Sequence, residues 1–438
     1  VSESGPARAG WRPTGALARA VAATAGLLLA AVLLRREDLV LLATPIAVGA
    51  VLGLVGRPRR PPQLRLTVPR AAILEGAQLV PTVTVLADEP PDLVTVELAV
   101  PRWLVADGAP LARAVAVGAG EPLVVPFPLR SQRWGRRMVG PAALTGSAAY
   151  GLLRCGPYLS APGLVTVWPL RAGFDAVDTV PRAEGLVGPH QSRRAGAGSD
   201  IAGVRPFAPG DRLRRINWRV SQRADRLHVT STYSDRDAEV LLCLDSRHDI
   251  GDPPASSLDT AVRAAAAIAE HYLRHGDRVG LIDLGRVTAR RVVAGNGRAH
   301  LVKLLDVLLD ARGLGRQEVP DRSGGRLVLA ELPRLAPRRA LLIALTPLAG
   351  EAIFEALGLL GRTGSALVVV DTLPADVRPE LPSEWSALAW RLWRLEREAD
   401  IGRLGAAGVP VVPWLGAGSL DAVLHDVSQT ARAPRLVR

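Results

Sequence analysis

Lysine is almost missing from this chain: of its 54 basic residues, Lys303 alone is not arginine. Aromatic residues make up 4% of the 438, methionine occurs once, at Met138, and cysteine twice, at Cys155 and Cys243. Each shortage excludes something. Two distant cysteines cannot build a disulfide framework and match no zinc-ligand spacing. Cys243, inside the apolar run "VLLCLDS", reads as a small buried thiol. The seven histidines are scattered without metal-ligand spacing. No GxxxxGK(S/T) loop is present and no GxGxxG opens a helix after the first strand, which disfavours both common nucleotide cradles. The net charge of +12 has the sign of a nucleic-acid binder. Such a protein concentrates charge on one face, however. Here arginine occurs in every segment, beside abundant Ala, Gly, Pro and Val, and without the aromatic interleaving that stacks bases. A chain-wide compositional habit accounts for this better, and nucleic acid is not the expected partner.

What the chain does have is apolar sequence, 48% of the total. Residues 16–34, "ALARAVAATAGLLLAAVLL", and 39–56, "LVLLATPIAVGAVLGLVG", are each near the ~20 residues that cross a bilayer as a helix. The charged "RRED" between them only turns the chain round, and no small-residue cleavage site separates the runs, so a signal peptide fits less well. The expectation is a 1–15 tail and a transmembrane helical hairpin over 16–60, in contact with lipid, with Pro45 tolerated inside its second helix. Arg8, Arg12, Arg19, Arg57, Arg59, Arg60 and Arg65 flank the hairpin, against Arg35 and Arg36 in its loop. That balance favours both ends, and the large soluble body, in the cytoplasm of a two-helix membrane protein.

From residue 62 short β-branched runs such as "LVPTVTVLAD" and "LVTVELAVP", punctuated by Gly, Pro and Asp, predict an all-β sandwich over 62–170. No catalytic constellation lies in it, and a spacer or docking platform is its expected use. A linker over 171–237 leads to a third texture over 238–438, where strands alternate with helices. That alternation predicts an α/β, doubly wound, mostly parallel sheet. "EVLLCLDS" is its first strand, a helix follows over Leu258–Arg274, and Ser419 caps the last helix. Trp385, Trp390 and Trp393, with Leu388, Leu392 and Leu395, read as core or domain-interface residues of a helix near 384–399. Ligand crevices in such sheets lie at the carboxyl ends of the strands, which points to Asp245, Thr346 and Asp371.

The strand-end "LDSRHD" resembles the metal-ion-dependent motif of von Willebrand factor A domains, in which Asp-x-Ser-x-Ser holds Mg²⁺ through hard oxygen ligands. Asp245 keeps the carboxylate, but Arg247 and Asp249 stand where the serines belong. In "ALTPLAG", Thr346 is followed by Pro347 where the resemblance calls for aspartate. Asp245, Asp249 and Thr346 are thus a degenerate metal set. The resemblance carries the von Willebrand factor A-like fold without its metal, and Asp245 is expected to pair with an arginine such as Arg247.

The segment 204–223, "VRPFAPGDRLRRINWRVSQR", is the most distinctive. Asp211 is placed to cap a short helix, and Leu213, Ile216 and Val220 fall on one stripe. Arg215, Arg219 and Arg223 line a neighbouring face, and Trp218 offers a surface for an arginine to stack on. Two readings stand: a domain clasp in which arginines pair with Asp235, Asp237 or Glu239, and a partner-binding surface whose guanidinium forks take carboxylate or phosphate. Arg205, Asp211, Arg214, Arg215, Asn217, Trp218 and Arg219 are its candidate residues. With Phe207, Pro209, Gly210 and Ile216, they resemble the signature of the bacterial domain-of-unknown-function family fifty-eight. The stretch "RWGRRMVGPAALTGSAAYGLLR" resembles that family's upstream pattern, with Ser147 and Tyr150 departing from it. The resemblance implies a membrane-anchored, non-enzymatic interaction protein, associated with a MoxR-type AAA+ ATPase in chaperone or complex-assembly systems. No catalytic residue and no cofactor is expected. The alternative is a metal-dependent enzyme using Asp245, Asp249 and Asp371 around one divalent ion, or a nucleic-acid binder using Arg212, Arg214, Arg215 and Arg219.

Overall fold

The computed structural model describes residues 10–170, 195–208, 216–233, 239–285, 290–311, 332, 340–362, 366–377 and 384–416. The chain divides into two compact units, Val1–Pro169 and Leu170–Arg438.

The first unit opens with the helices Gly15–Leu34 and Asp38–Val55. Both are long and apolar enough to cross a membrane. Arg35 takes a left-handed conformation (φ 49°) and closes the first helix, its N–H donating to Ala31. Asp38 begins the second, where a carboxylate complements the helix dipole. Outward-facing Leu29, Leu33, Leu41 and Leu52 are exposed, an arrangement that water penalises and hydrocarbon does not.

The hairpin is fastened to the β structure at its open end. Arg12–Pro13 forms a short strand against Leu153–Arg154. The Thr14 N–H donates to Leu152 and its hydroxyl to the Gly151 carbonyl at 2.8 Å. Trp11, Leu17 and Leu54 pack with Ala148, Ala149 and Leu153. Gly53 lies so close to Ala149 that a Cβ on it would approach the alanine methyl to 3.1 Å.

Strands with alternating burial follow. In Leu93–Leu98 and Ala142–Ala148 every second residue is buried, the period that turns one face of a pleated strand inward. The strands form one five-stranded and three three-stranded sheets. A core containing Val83, Val85, Val96, Leu98, Phe127, Leu129 and Leu144 joins them. The all-β character matches the sequence reading, but several small sheets replace two broad ones. The Leu144–Gly146 register shift marks one break in regularity. Facing it, Gly156 (φ +89°) passes so near the Leu144 carbonyl that only glycine fits.

The second unit contains an antiparallel pair, Ala195–Pro206 with His228–Tyr233, inside the stretch read as linker. It also contains a six-stranded sheet. In spatial order its strands are Arg290–Gly295, Arg278–Asp283, Glu239–Leu244, Leu341–Thr346, Ala366–Asp371 and Val411–Pro413. All neighbours run parallel except the first, an antiparallel edge strand. Nearly every side chain of the central strands is buried, as expected where both faces are covered. The helix Ser257–Arg274 begins with a Ser256–Asp259 capping box and buries Leu258, Val262, Ala265, Ala266, Ile268 and Ala269. Cys243 is buried in the sheet, its thiol pushed up to about 12 by desolvation.

One expectation is corrected. The last described helix, Glu384–Ala406, holds Trp385, Leu388, Leu392 and Leu395 in solvent rather than in a core. The helix has an inner apolar stripe as well, and periodicity alone does not say which of two stripes is covered. The cap expected at Ser419 lies outside the described residues.

Placing arginine at both Ala25 and Val48, exposed near the middle of each helix, tests the membrane reading. A charged residue at a helix centre costs about 2.5–3.5 kcal/mol of insertion free energy. The double variant is expected to become extractable from membranes by alkaline carbonate while the parent resists. Equal resistance of both chains would remove the spanning reading.

Candidate functional site

The parallel strands deliver Asp283, Asp245, Thr346 and Asp371 side by side at their carboxyl ends. Asp245 ends the central run and is 1% exposed. A carboxylate in such a place is costly unless paired and hydrogen-bonded. The Arg247 Nε donates to its Oδ1 at 2.8 Å and Nη2 to its Oδ2 at 2.9 Å, a two-pronged pair. The Thr346 hydroxyl donates to Oδ2 at 2.8 Å. Burial works to raise the Asp245 carboxyl, but the bonds and charge of Arg247, then Thr346 and His248, hold it below the ordinary carboxylate range.

The neighbouring carboxylates are engaged too. Asp283 accepts from the Ser246 hydroxyl and from the Gly285 N–H. Asp371 accepts from the Arg397 guanidinium and from the Leu373 N–H. Arg397 reaches it from the Glu384–Ala406 helix and also donates twice to the Pro347 carbonyl, at 3.2 and 3.0 Å. Asp249 does not join this group; its carboxylate accepts from the Leu258 N–H at 3.3 Å, at the start of the Ser257–Arg274 helix. Of the degenerate metal set, then, the structure brings together Asp245 and Thr346 and sends Asp249 to a helix start. Chemically the row can clamp strand ends and loops: both oxygens of Asp245, and Oδ1 of Asp283 and of Asp371, face guanidinium, hydroxyl or amide donors.

Sequence reasoning placed Arg247 beside Asp245 but missed Arg397. The signal was there: an arginine stands within the inner apolar stripe Trp393, Ile401 and Leu404, and a guanidinium there needs a buried partner.

In the arginine-rich segment, Asp211, Arg214 and Arg215 lie outside the described residues, as do Leu213, Asp235 and Asp237. The described helix runs over Trp218–Ala224, and Asn217 caps it, its side-chain oxygen accepting from the Val220 N–H at 3.2 Å. Ile216 lies before that helix, bridged to Val229. Arg205 is on the adjoining strand, its guanidinium donating to the Pro206 carbonyl at 3.1 Å. Trp218 is 64% exposed, with Arg219 exposed beside it.

Residues 203–382 match the family described as "Protein of unknown function DUF58". This segment is similar to that family's domain. It includes Arg205, Asn217, Trp218 and Arg219 together with the whole strand-end row, and stops short of the helix that supplies Arg397. Uncharacterized proteins of Mycobacterium bovis and Mycobacterium tuberculosis are similar, 35% identical over 117 residues, which is 26% of this chain and 37% of each relative. The match therefore spans little more than a third of those relatives. Among solved structures, a β-glucosidase from Listeria innocua bound to isofagomine is similar at 16% identity over 24% of this chain and 16% of its own, with a TM-score of 0.14. A native α2-macroglobulin from Escherichia coli is 14% identical over 85% of this chain and 54% of its own, with a TM-score of 0.19. At such scores neither likeness bears on fold or chemistry.

Replacing Arg247 with alanine leaves Asp245 charged, buried and without its cation, and is expected to destabilise the chain by about 3–5 kcal/mol. Thermal unfolding of the detergent-solubilised protein measures this. The pH dependence has a definite sign. Because the folded Asp245 carboxyl is held below its unfolded value of roughly 3.9, its contribution is fully present above that value and fades as pH falls through the folded one. The stability gap between parent and Asp245→Asn should be level from roughly pH 5 to 8 and narrow below about pH 4. A gap independent of pH would show that the carboxylate charge contributes nothing.

Proposed function

We propose that this chain is a membrane-anchored, non-enzymatic adaptor. In this reading a von Willebrand factor A-like α/β unit, on the cytoplasmic side, docks a partner protein. The observation that carries it is the closure of the strand ends: Asp245 is clamped by Arg247 and Asp371 by Arg397. A general base or metal ligand needs a carboxylate oxygen free to meet a proton or cation, and here guanidinium takes both oxygens of Asp245 and Oδ1 of Asp371. The sheet order, with its antiparallel edge, supports the A-like reading. Trp218 and Arg219 support the docking role, since an exposed tryptophan beside an arginine is the composition of an interface anchor. The family resemblance suggests the partner, a MoxR-type AAA+ ATPase in a chaperone or assembly system.

Two measurements on the full chain in detergent test this. Titration calorimetry with Mg²⁺ and Mn²⁺ is expected to give no heat; micromolar binding abolished by Asp245→Ala would restore the metal reading. Immobilised chain is expected to bind a MoxR-type ATPase from the same cell, and Trp218→Ala to weaken that binding roughly tenfold or more. Binding that follows a steep salt slope on nucleic acid instead would favour the basic-surface alternative.

A further inference from the structure

The Glu384–Ala406 helix has two opposite apolar faces. Its inner face is anchored: Arg397 and Leu404 are buried and Ile401 packs on the sheet core. Its outer face exposes Trp385, Leu388, Leu392 and Leu395 by 81, 48, 54 and 63%. These four recur at intervals of three and four, the a and d positions of a heptad, and Ala399 and Gly402 continue the pattern. Arg391 and Glu398 then occupy g positions on one flank, both exposed.

We propose that this outer stripe is the interface with a second copy of the same chain, two such helices packing antiparallel about a two-fold axis. The residues are complementary to themselves in that arrangement. Centred between Trp393 and Arg394, it sets Trp385 over Gly402 of the second copy, Leu388 over its Ala399, and Leu392 against its Leu395. Each layer joins a large side chain to a small one or two of equal size, so the helices remain evenly spaced, as dense packing requires. A parallel pairing would instead stack tryptophan on tryptophan at one end and glycine on glycine at the other. In antiparallel packing g flanks g, so Arg391 meets Glu398 of the second copy and, by symmetry, the reverse. The stripe from Trp385 to Gly402 is about 26 Å long at 1.5 Å per residue. A bilayer surface is the weaker match, because such helices carry a Lys/Arg-rich polar face and this one mixes Arg391 and Arg394 with Glu396 and Glu398.

The test uses the full chain in detergent, where native Cys155 and Cys243 are both buried. Mass photometry is expected to find a dimer. Under mild oxidation, differently tagged Leu388→Cys and Ala399→Cys copies should cross-link when mixed, while Leu388→Cys alone should not. Arg391→Glu should weaken the dimer roughly tenfold, and Arg391→Glu with Glu398→Arg should restore it. Self-cross-linking of Leu388→Cys, or failure of the double swap, would overturn the antiparallel packing. A folded monomer overturns the interface itself, whether residues 417–438, another protein or lipid vesicles prove to cover the stripe.

Discussion

A buried carboxylate must find a cation, and in this chain most of the C-terminal unit is arranged around that need. Asp245 ends the central strand where the sheet is driest, and Arg247 turns back two residues later to hold it with both prongs. Thr346, from the next strand, completes the set, so one hydrogen-bond group couples two strands and the loop between them. Arg397 does the same for Asp371 and for the turn at Pro347, tying a distant helix to the strand ends. Such pairs contribute less to net stability than well-packed apolar groups of like size, but they are severe to break. Their effect is to hold loops in one arrangement.

The same pairs decide the chemistry. Open sheets of this kind place ligand sites at their strand ends, and at that position Asp245 is clamped on both oxygens. The polar row is bonded to strand ends and loops, while Trp218 and Arg219 are exposed elsewhere in the unit.

Much of this was legible beforehand because the signals were local. Two apolar runs of bilayer length, alternation in "TVTVL" and "LVTVEL", and the run "EVLLCLD" each specify an element through its own period. Arg247 was legible for the same reason, standing two residues from the carboxylate it pairs with. What failed was non-local. Arg397 meets Asp371 across 26 residues, and no spacing rule predicts that encounter. Trp385, Leu388, Leu392 and Leu395 were read as core or domain-interface residues because their period is that of a packed helix; within their own unit they are exposed, and the covered face is the other one, where Arg397 meets Asp371. The Asp211 cap lies outside the described residues, and the cap the structure does show, Asn217, was not singled out because several residues of this segment have short polar side chains able to accept from a helix N-terminus.

The seam at Gly53 and Ala149 has a mechanical meaning. Thr14, Trp11 and Gly53 fasten both ends of the apolar hairpin to the β structure without a spacer. A tethered domain explores a hemisphere set by its leash; a bolted one stands at a single height and tilt. Tyr150, 90% exposed, lies beside that seam. Within this unit the hairpin and the β structure are one piece, so any orientation imposed on the hairpin is imposed on the β body.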